Sequence, residues 1–457
     1  MRQKSNPVFC FEWAKASHHS ELKIVKAHQE KYKGISAILD ESPLILDLAD
    51  RDLKGLSQGG KKGRKGAYTS ENILRALIVH ALEGLDLRST IVRISESPFL
   101  QDFLRLGNRR VMDFTFLDKA FKAIRSETWK QINAALAGYA RETERMDPSQ
   151  IRVDTTVVET NIHYPTDAAL LWDSWRVLAR LLREGRSLAP GMRPHRFHDK
   201  KVKKLFLRIT RYVRSRSKFR RRLVRKCFRD LIGQVRRIVS ISEGFCAQAR
   251  LNRQAAVRAV ADEIESFLGP IRTVVATSER ANVKGETVPA ADRVFSIFEP
   301  HTELIKRGKS HKPVEFGHVI LLSETREKFI SHYDVMARRI PDSELAEQSV
   351  KNHENLFGEP PEVLTADTGF NPEAKKRAAL DKKVETLAIP RRVRDWVDVI
   401  GACWQRFRAG IEGTISVLKR AYRLLRCPFR GFKSFAASIG MSIFCHNLVV
   451  LARPPGN

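Results

Sequence analysis

Between Lys200 and Arg237 the chain carries 17 Lys and Arg against a single acid, Asp230. Charge of one sign at that density cannot be buried, so any fold must hold this stretch against solvent or a polyanion. Leu205, Ile209, Tyr212, Val213, Phe219, Leu223, Val224 and Phe228 recur within it, which is too apolar for a random tail. The pattern predicts a folded basic helical arm. Ordinary solvated faces mix signs and this one does not, so its expected role is contact with DNA phosphates, with Arg211, Arg214, Arg220, Arg221 and Arg222 as binding residues.

The arm supplies a local +16 of the formal +30 on 457 residues. The whole chain is nevertheless 42% hydrophobic, enough to build real cores, and its length suggests about three domains. A disordered basic tail protein is excluded. No stretch approaches about 18 uninterrupted apolar residues, and the N-terminus lacks an apolar leader. The expectation is a soluble cytoplasmic, nucleoid-associated protein with DNA and no membrane as partner. Six cysteines without a CxxC pair read as reduced structural thiols, and the scattered histidines, including His195 and His198, do not read as a zinc site.

The hydrophobic period divides the rest. Residues 1–66 hold helical pieces and end in SQGGKKGRKGAY (Ser57 to Tyr68), a Gly/Lys segment expected to be a flexible basic linker. After Thr69 and Ser70, which supply an N-cap, Ile73, Leu74, Leu77, Ile78 and Leu82 fall at helical spacing. With LRSTIVRISES and TFLDKAFKAIRSETWKQINAALAGYA they predict an all-helical N-terminal domain over 67–147. Short helices joined by turns near basic residues suit a DNA-binding helix-turn-helix, and a generic helical bundle fits equally. QIRVDTTVVET then alternates and is rich in Val and Thr, a strand signature. Helical patterns resume over 165–289, the basic helical insertion that contains the arm. Strand signals at RVFSIF, VEFGHVILLSE, KFISHYDVM, EVLTADTGF and VETLAI alternate with helices up to QRFRAGIEGTISVLKRAYRLL, so 148–164 and 290–450 predict an α/β fold, a mixed sheet flanked by helices. The last apolar run, SFAASIGMSIFCHNLVVLA, reads as core.

Three acids stand out against this pattern. Asp154 interrupts a Val/Thr strand that should be central, where a carboxylate is disfavoured by propensity and desolvation. Asp367 closes a buried strand before Thr-Gly-Phe, at the carboxyl end of the sheet, the usual edge for ligand sites. Glu412 lies on a helix with Arg408 four residues before it and Lys419 seven after, on the same face. Singly, each reads as easily as a surface ion pair. Together they offer hard oxygen ligands from separate elements, what is needed to hold two Mg²⁺, or Mn²⁺, about 3.5 to 4 Å apart for in-line phosphoryl transfer. Arg408 and Lys419 would then hold phosphates of the scissile strand. Trp172 and Trp175, three residues apart, read first as a packing stripe and second as a base-stacking platform.

At these residues the chain resembles the DDE transposases of bacterial insertion sequences, in particular the group with a Y-x2-R-x3-E-x6-K signature. Arg408, Glu412 and Lys419 match it, whereas Gln405 stands at the tyrosine position with Trp404 beside it. VDTTVVETNIHYPTDAALLWDSW (Val153 to Trp175), FEPHTELIKRGK (Phe298 to Lys309) and LTADTGF look like the ISNCY-type members. The resemblance covers roughly 69–450. It implies an RNase H-like catalytic domain, recognition of terminal inverted repeats, a homodimeric synaptic complex, and metal-dependent cleavage at element ends with strand transfer into target DNA. Asp154 and Asp367 are 213 residues apart, too far for a bare core of that type, and the basic insertion accounts for the gap. The rival readings are a catalytically silent DNA-binding regulator descended from such an enzyme, and a structure-selective nuclease on the same fold.

Overall fold

The computed structural model describes residues 4, 22–56, 67–191, 195–306, 313–392 and 399–453. The linker expected within 57–66 lies outside them, as do the last three residues of the FEPHTELIKRGK block. The chain opens with helices α1 (Lys23–Glu41), α2 (Pro43–Leu53), α3 (Ser70–Leu82), α4 (Leu87–Glu96), α5 (Pro98–Phe103), α6 (Phe114–Ala123) and α7 (Ser126–Glu142). Strand β1 (Gln150–Glu159) follows, then helices α8 (Asp167–Leu188), α9 (Asp199–Tyr212), α10 (Lys218–Arg250) and α11 (Ala255–Glu279). The rest is β2 (Glu303–Lys306), β3 (Val314–Thr325), β4 (Ile330–Val335), α12 (Asp342–Phe357), β5 (Val363–Thr365), α13 (Ala374–Leu380), β6 (Thr386–Ala388), α14 (Val399–Ala421) and α15 (Phe432–Leu451). Contacts divide this chain into two units, Met1–Glu159 with His318–Asn457, and Thr160–Gly317.

The first unit is built on a mixed sheet with β1 in its middle. β3 lies on one side of β1 and β5 on the other, with β6 beyond β5 and β4 against β3. β1, β5 and β6 run parallel, and β4 runs antiparallel to β3. A central parallel strand is covered on both faces, which is why β1 reads Ile-Arg-Val-Asp-Thr-Thr-Val-Val instead of alternating cleanly; Ile151, Val153, Val157 and Val158 are all buried.

One core joins this sheet to the helices around it. Leu77, Phe103, Trp129 and Leu136 share a cluster with Ile320, Tyr333, Ile411 and Phe444. Helix α15 runs through that cluster, buried continuously from Phe435 to Leu448. By length and composition alone it would pass for a membrane span, but most of it is enclosed by the protein itself. Gly440 lets α7 and β4 approach it: a Cβ there would sit 2.4 Å from the Tyr333 hydroxyl and 2.6 Å from Trp129 Cβ. The expected cap of α3 is present as a reciprocal pair, Asn72 N–H to Thr69 Oγ1 at 3.1 Å and Thr69 N–H to Asn72 Oδ1 at 3.0 Å. Nearby, the buried Arg75 is paired with Glu71 at 3.1 Å and Asp40 at 3.0 Å.

The second unit is helical apart from β2, which pairs antiparallel with Val314–Gly317 at the start of β3. Trp175, Leu178, Leu182, Phe228, Leu231, Val235, Ile264 and Ile271 form its core. Trp172 packs against that core and stacks on Trp175 and Phe206 with ring centroids 5.7 Å and 5.9 Å apart. The aromatic stripe is packing, as its first reading had it.

One strand expectation is corrected. RVFSIF is irregular, and the strand lies instead at Glu303–Lys306. Phe295, Ser296 and Ile297 are all buried, so the alternation that a half-buried strand would show is absent. The Ser296 hydroxyl accepts from the N–H groups of Phe298 and Glu299, each at 3.2 Å, and Pro300 follows, so the backbone bends before it can extend.

Candidate active site

The site is built in the first unit, outward from β1. Asp154 sits midway along that strand, between buried Val153 and buried Thr156. Burial pushes its carboxyl up to about 6. The Thr155 N–H, donating at 2.7 Å, draws it down; the charges of Asp367 and Glu412 push it up, and that of Arg408 draws it down. Asp367, Arg408 and Glu412 are thus near enough to Asp154 for their charges to act on it.

Sheet register explains Asp367. Arg152 is level with Thr365 on the neighbouring parallel strand, and the same register carried two residues further sets Asp154 beside Asp367. There β5 ends, and the Asp367 carboxylate turns back to accept the Gly369 N–H at 2.8 Å, capping the short 3-10 turn Thr368–Phe370. Glu412 arrives from α14. Its side chain is 62% exposed and its carboxylate receives Arg408 Nη2 at 3.1 Å, the i, i+4 pair expected on one helix face. Lys419 is two turns further along α14 and half-buried. Among the described residues no group of three His, Cys, Asp or Glu side chains is drawn tightly enough to hold a metal ion. Asp154, Asp367 and Glu412 are gathered, with Glu412 directed to Arg408.

Beneath the acids lies a polar layer that the sequence reading missed. Arg152, two residues before Asp154, donates from Nε to Glu324 Oε2 at 2.7 Å and from Nη1 to the Phe407 carbonyl at 2.8 Å. Both members of the pair are enclosed, at 6% and 0% side-chain exposure. The other Glu324 oxygen accepts the Thr414 hydroxyl. Burial pushes the Glu324 carboxyl up, opposed by Arg152 and Thr414. Gly410 leaves room for the guanidinium: a Cβ there would lie 2.1 Å from Arg152 Nη1. The signals were an Arg inside a Val-rich strand, a Glu ending an apolar one, and a Gly in mid-helix two residues before Glu412.

Asp334, another acid on a strand, β4, has a structural setting. It pairs with Lys130 at 2.6 Å and accepts from Gln348 and Asn352, each at 3.0 Å. Burial would raise its carboxyl, yet His332 and then Lys130 hold it well below the usual range. Arg211, Arg214, Arg220, Arg221 and Arg222 belong to the second unit, on α9, α10 and the turn between them, all exposed. Arg220 lies over the Tyr212 ring at 5.3 Å, and Arg221 donates to the Arg216 carbonyl at 2.7 Å.

Residues 295–448 match the family model described as the transposase DDE domain. The matched span holds Asp367, Arg408, Glu412 and Lys419; β1 with Asp154 precedes it. No curated protein and no solved structure matches the chain. The mixed sheet flanked by helices is consistent with the RNase H-like fold of such enzymes. Over about a third of its length, then, this chain is similar to the transposase DDE domain, and that match supports a DDE transposase.

Proposed function

We propose that the chain is an insertion-sequence transposase that cleaves DNA at element ends and joins the strands to target DNA, with Asp154, Asp367 and Glu412 as its catalytic acids. What supports this reading is the register that sets Asp154 beside Asp367, the charges of Asp367, Glu412 and Arg408 that act on Asp154, and the pairing of Glu412 with Arg408. The donors fit a hard divalent cation: they are carboxylates, and a cation relieves both the burial that chiefly raises Asp154 and the lesser repulsion from Asp367 and Glu412. DDE transposases in general use such metals. Bound between these acids, Mg²⁺ or Mn²⁺ would supply activation of water or a 3′-hydroxyl and stabilisation of the leaving oxygen.

The chain's own residues do the rest. Asp154 and Asp367 set a pair of carboxylates level with each other, on β1 and just past the end of β5. Glu412 would join such ions as a ligand from α14, leaving the Arg408 guanidinium to a DNA phosphate, and Lys419 would extend that contact along α14. Exposed Arg211, Arg214, Arg220, Arg221 and Arg222 bind the backbone of the terminal inverted repeats or of the target, in a homodimeric synaptic complex.

End cleavage and strand transfer on labelled element-end DNA in Mg²⁺ test the reading. Asp154→Asn, Asp367→Asn and Glu412→Gln should each abolish both reactions while leaving DNA binding intact. Full activity in any of the three removes that acid from the site. Cleavage without joined products points to a nuclease, and metal-independent binding alone to a silent regulator.

A further inference from the structure

We infer that Arg152 is a positioning residue: held by Glu324, which is itself tied to Thr414, and threaded past Gly410, it sets the height and rotation of α14 over β1 and so brings Glu412 to Asp154 and Asp367. This rests on the metal reading above and deepens it. The argument begins from the place of each group in the chain. Arg152 precedes Asp154 by two residues, Thr365 precedes Asp367 by two, and Gly410 precedes Glu412 by two. Two residues along a strand return to the same face, so Arg152 and Thr365, level in the sheet, lie one layer beneath the acids. Gly410 is the point at which α14 crosses that layer.

Arg152 touches α14 three ways: by its hydrogen bond to the Phe407 carbonyl, by its guanidinium 4.9 Å from the Phe407 ring centroid, and by its fit over Gly410. Glu324 grips it from β3 and reaches the same helix through Thr414. The guanidinium thus joins β1, β3 and α14 in one rigid fork, with fixed directions that an apolar contact lacks. As a stability device the pair is poor, since a buried ion pair seldom outperforms well-packed apolar residues of the same volume. The cost rises further because Arg152 Nη2 and Thr365 Oγ1 are buried with no hydrogen-bond partner among the described residues. A costly, directional group one layer below three acids that arrive from separate elements is explained by the need to orient them.

The test uses the full-length protein and Mn²⁺ alone, with free ion followed by electron paramagnetic resonance and Asp154→Asn as the control. Arg152→Met, Glu324→Gln and Gly410→Ala should each weaken the acid-dependent Mn²⁺ binding by about 10- to 100-fold, the usual effect of losing a residue that orients ligands. Affinity for DNA in the absence of metal should stay within about twofold, since a merely structural lesion would lower both. The decisive arm is the pair Arg152→Met with Gly410→Ala: the three atoms nearest the added methyl all belong to the guanidinium, so once it is gone Gly410→Ala should add little further loss. Should Arg152→Met fail to fold, the comparison of Gly410→Ala with Gly410→Ala in an Arg152→Lys background serves, and Lys should restore part of the binding. Wild-type Mn²⁺ affinity in these variants, or additive losses, overturns the positioning role while the metal site stands. If Asp154→Asn binds Mn²⁺ as the parent does, the metal reading itself is overturned and the positioning role falls with it.

Discussion

At the scale of a residue, Asp154 shows that the site works against the fold. Its carboxyl titrates near 6, above the 3.8 of an ordinary Asp, chiefly because burial penalises the charge. A group whose pKa is raised on folding adds stability at low pH and loses it as pH climbs through the folded value. Above about 6 the ionised Asp154 therefore destabilises the metal-free protein. Asp154→Asn, neutral and nearly isosteric, should stabilise the protein in EDTA at pH 7.5 by something on the order of 2 kcal/mol once partial exposure is allowed for, seen as a higher melting temperature. Near pH 5 the gain should shrink, since the native Asp is then largely protonated. A melting temperature unchanged at pH 7.5, or raised equally at both pH values, would mean that this carboxylate is not strained.

At the scale of elements, the arm and the sheet were legible to different degrees. The basic run folds as α9 and α10, with Val202, Leu205, Ile209, Phe228 and Leu231 turned inward and the arginines outward. Each phosphate that the arm neutralises should contribute a salt slope of about −0.9. Replacing Arg211, Arg214, Arg220, Arg221 and Arg222 by Gln should therefore flatten the dependence of DNA affinity on salt concentration. An unchanged slope in a filter-binding or anisotropy titration would take the arm off the DNA. Periodicity located β3 to β6 and the helices between them, because each has its own apolar pattern and punctuation. It failed at RVFSIF, where Ser296 bends a run that reads as a strand, since a hydroxyl's choice of backbone partner leaves no trace in hydropathy. The three acids were visible because a carboxylate in a Val-rich strand is costly and therefore conspicuous. Arg152 is as conspicuous by the same logic, yet its use depends on Glu324 and Gly410, 172 residues away in one case and on another element in the other, and no local pattern joins them.

At the scale of the molecule, titration of buried groups is concentrated in one unit. His80, His353 and His446 are all in the sheet-bearing unit, and burial lowers each to about 4. Their unfolded value is 6.5, so between about pH 6.5 and 4 the unfolded chain binds protons that the folded one refuses, and stability falls as pH falls. Below that window the carboxylates take over. Burial pushes Glu83 up, but hydrogen bonds from His28 and Tyr32 bring it to about 2, and its contribution is lost as acid protonates it. Asp334, also held low, behaves in the same direction. Asp154 and Glu324, both raised by burial, act oppositely and offset part of the three histidines' effect, which leaves the balance with the histidines. In the helical unit the perturbed groups are of another kind: burial raises the thiols of Cys227 and Cys246, which stay neutral through this range, and Glu279 is lowered by Arg236 but lies near the surface. Acidification from pH 7.5 to 5 should thus loosen the sheet-bearing unit first. Hydrogen exchange read by mass spectrometry, corrected for the intrinsic pH dependence of exchange, should show lost protection in α15 and β4 while α8, α10 and α11 keep theirs. Loss in the three helices first, or together with α15, would contradict this assignment, because the protons that drive the change would then have to bind where no buried imidazole is waiting for them.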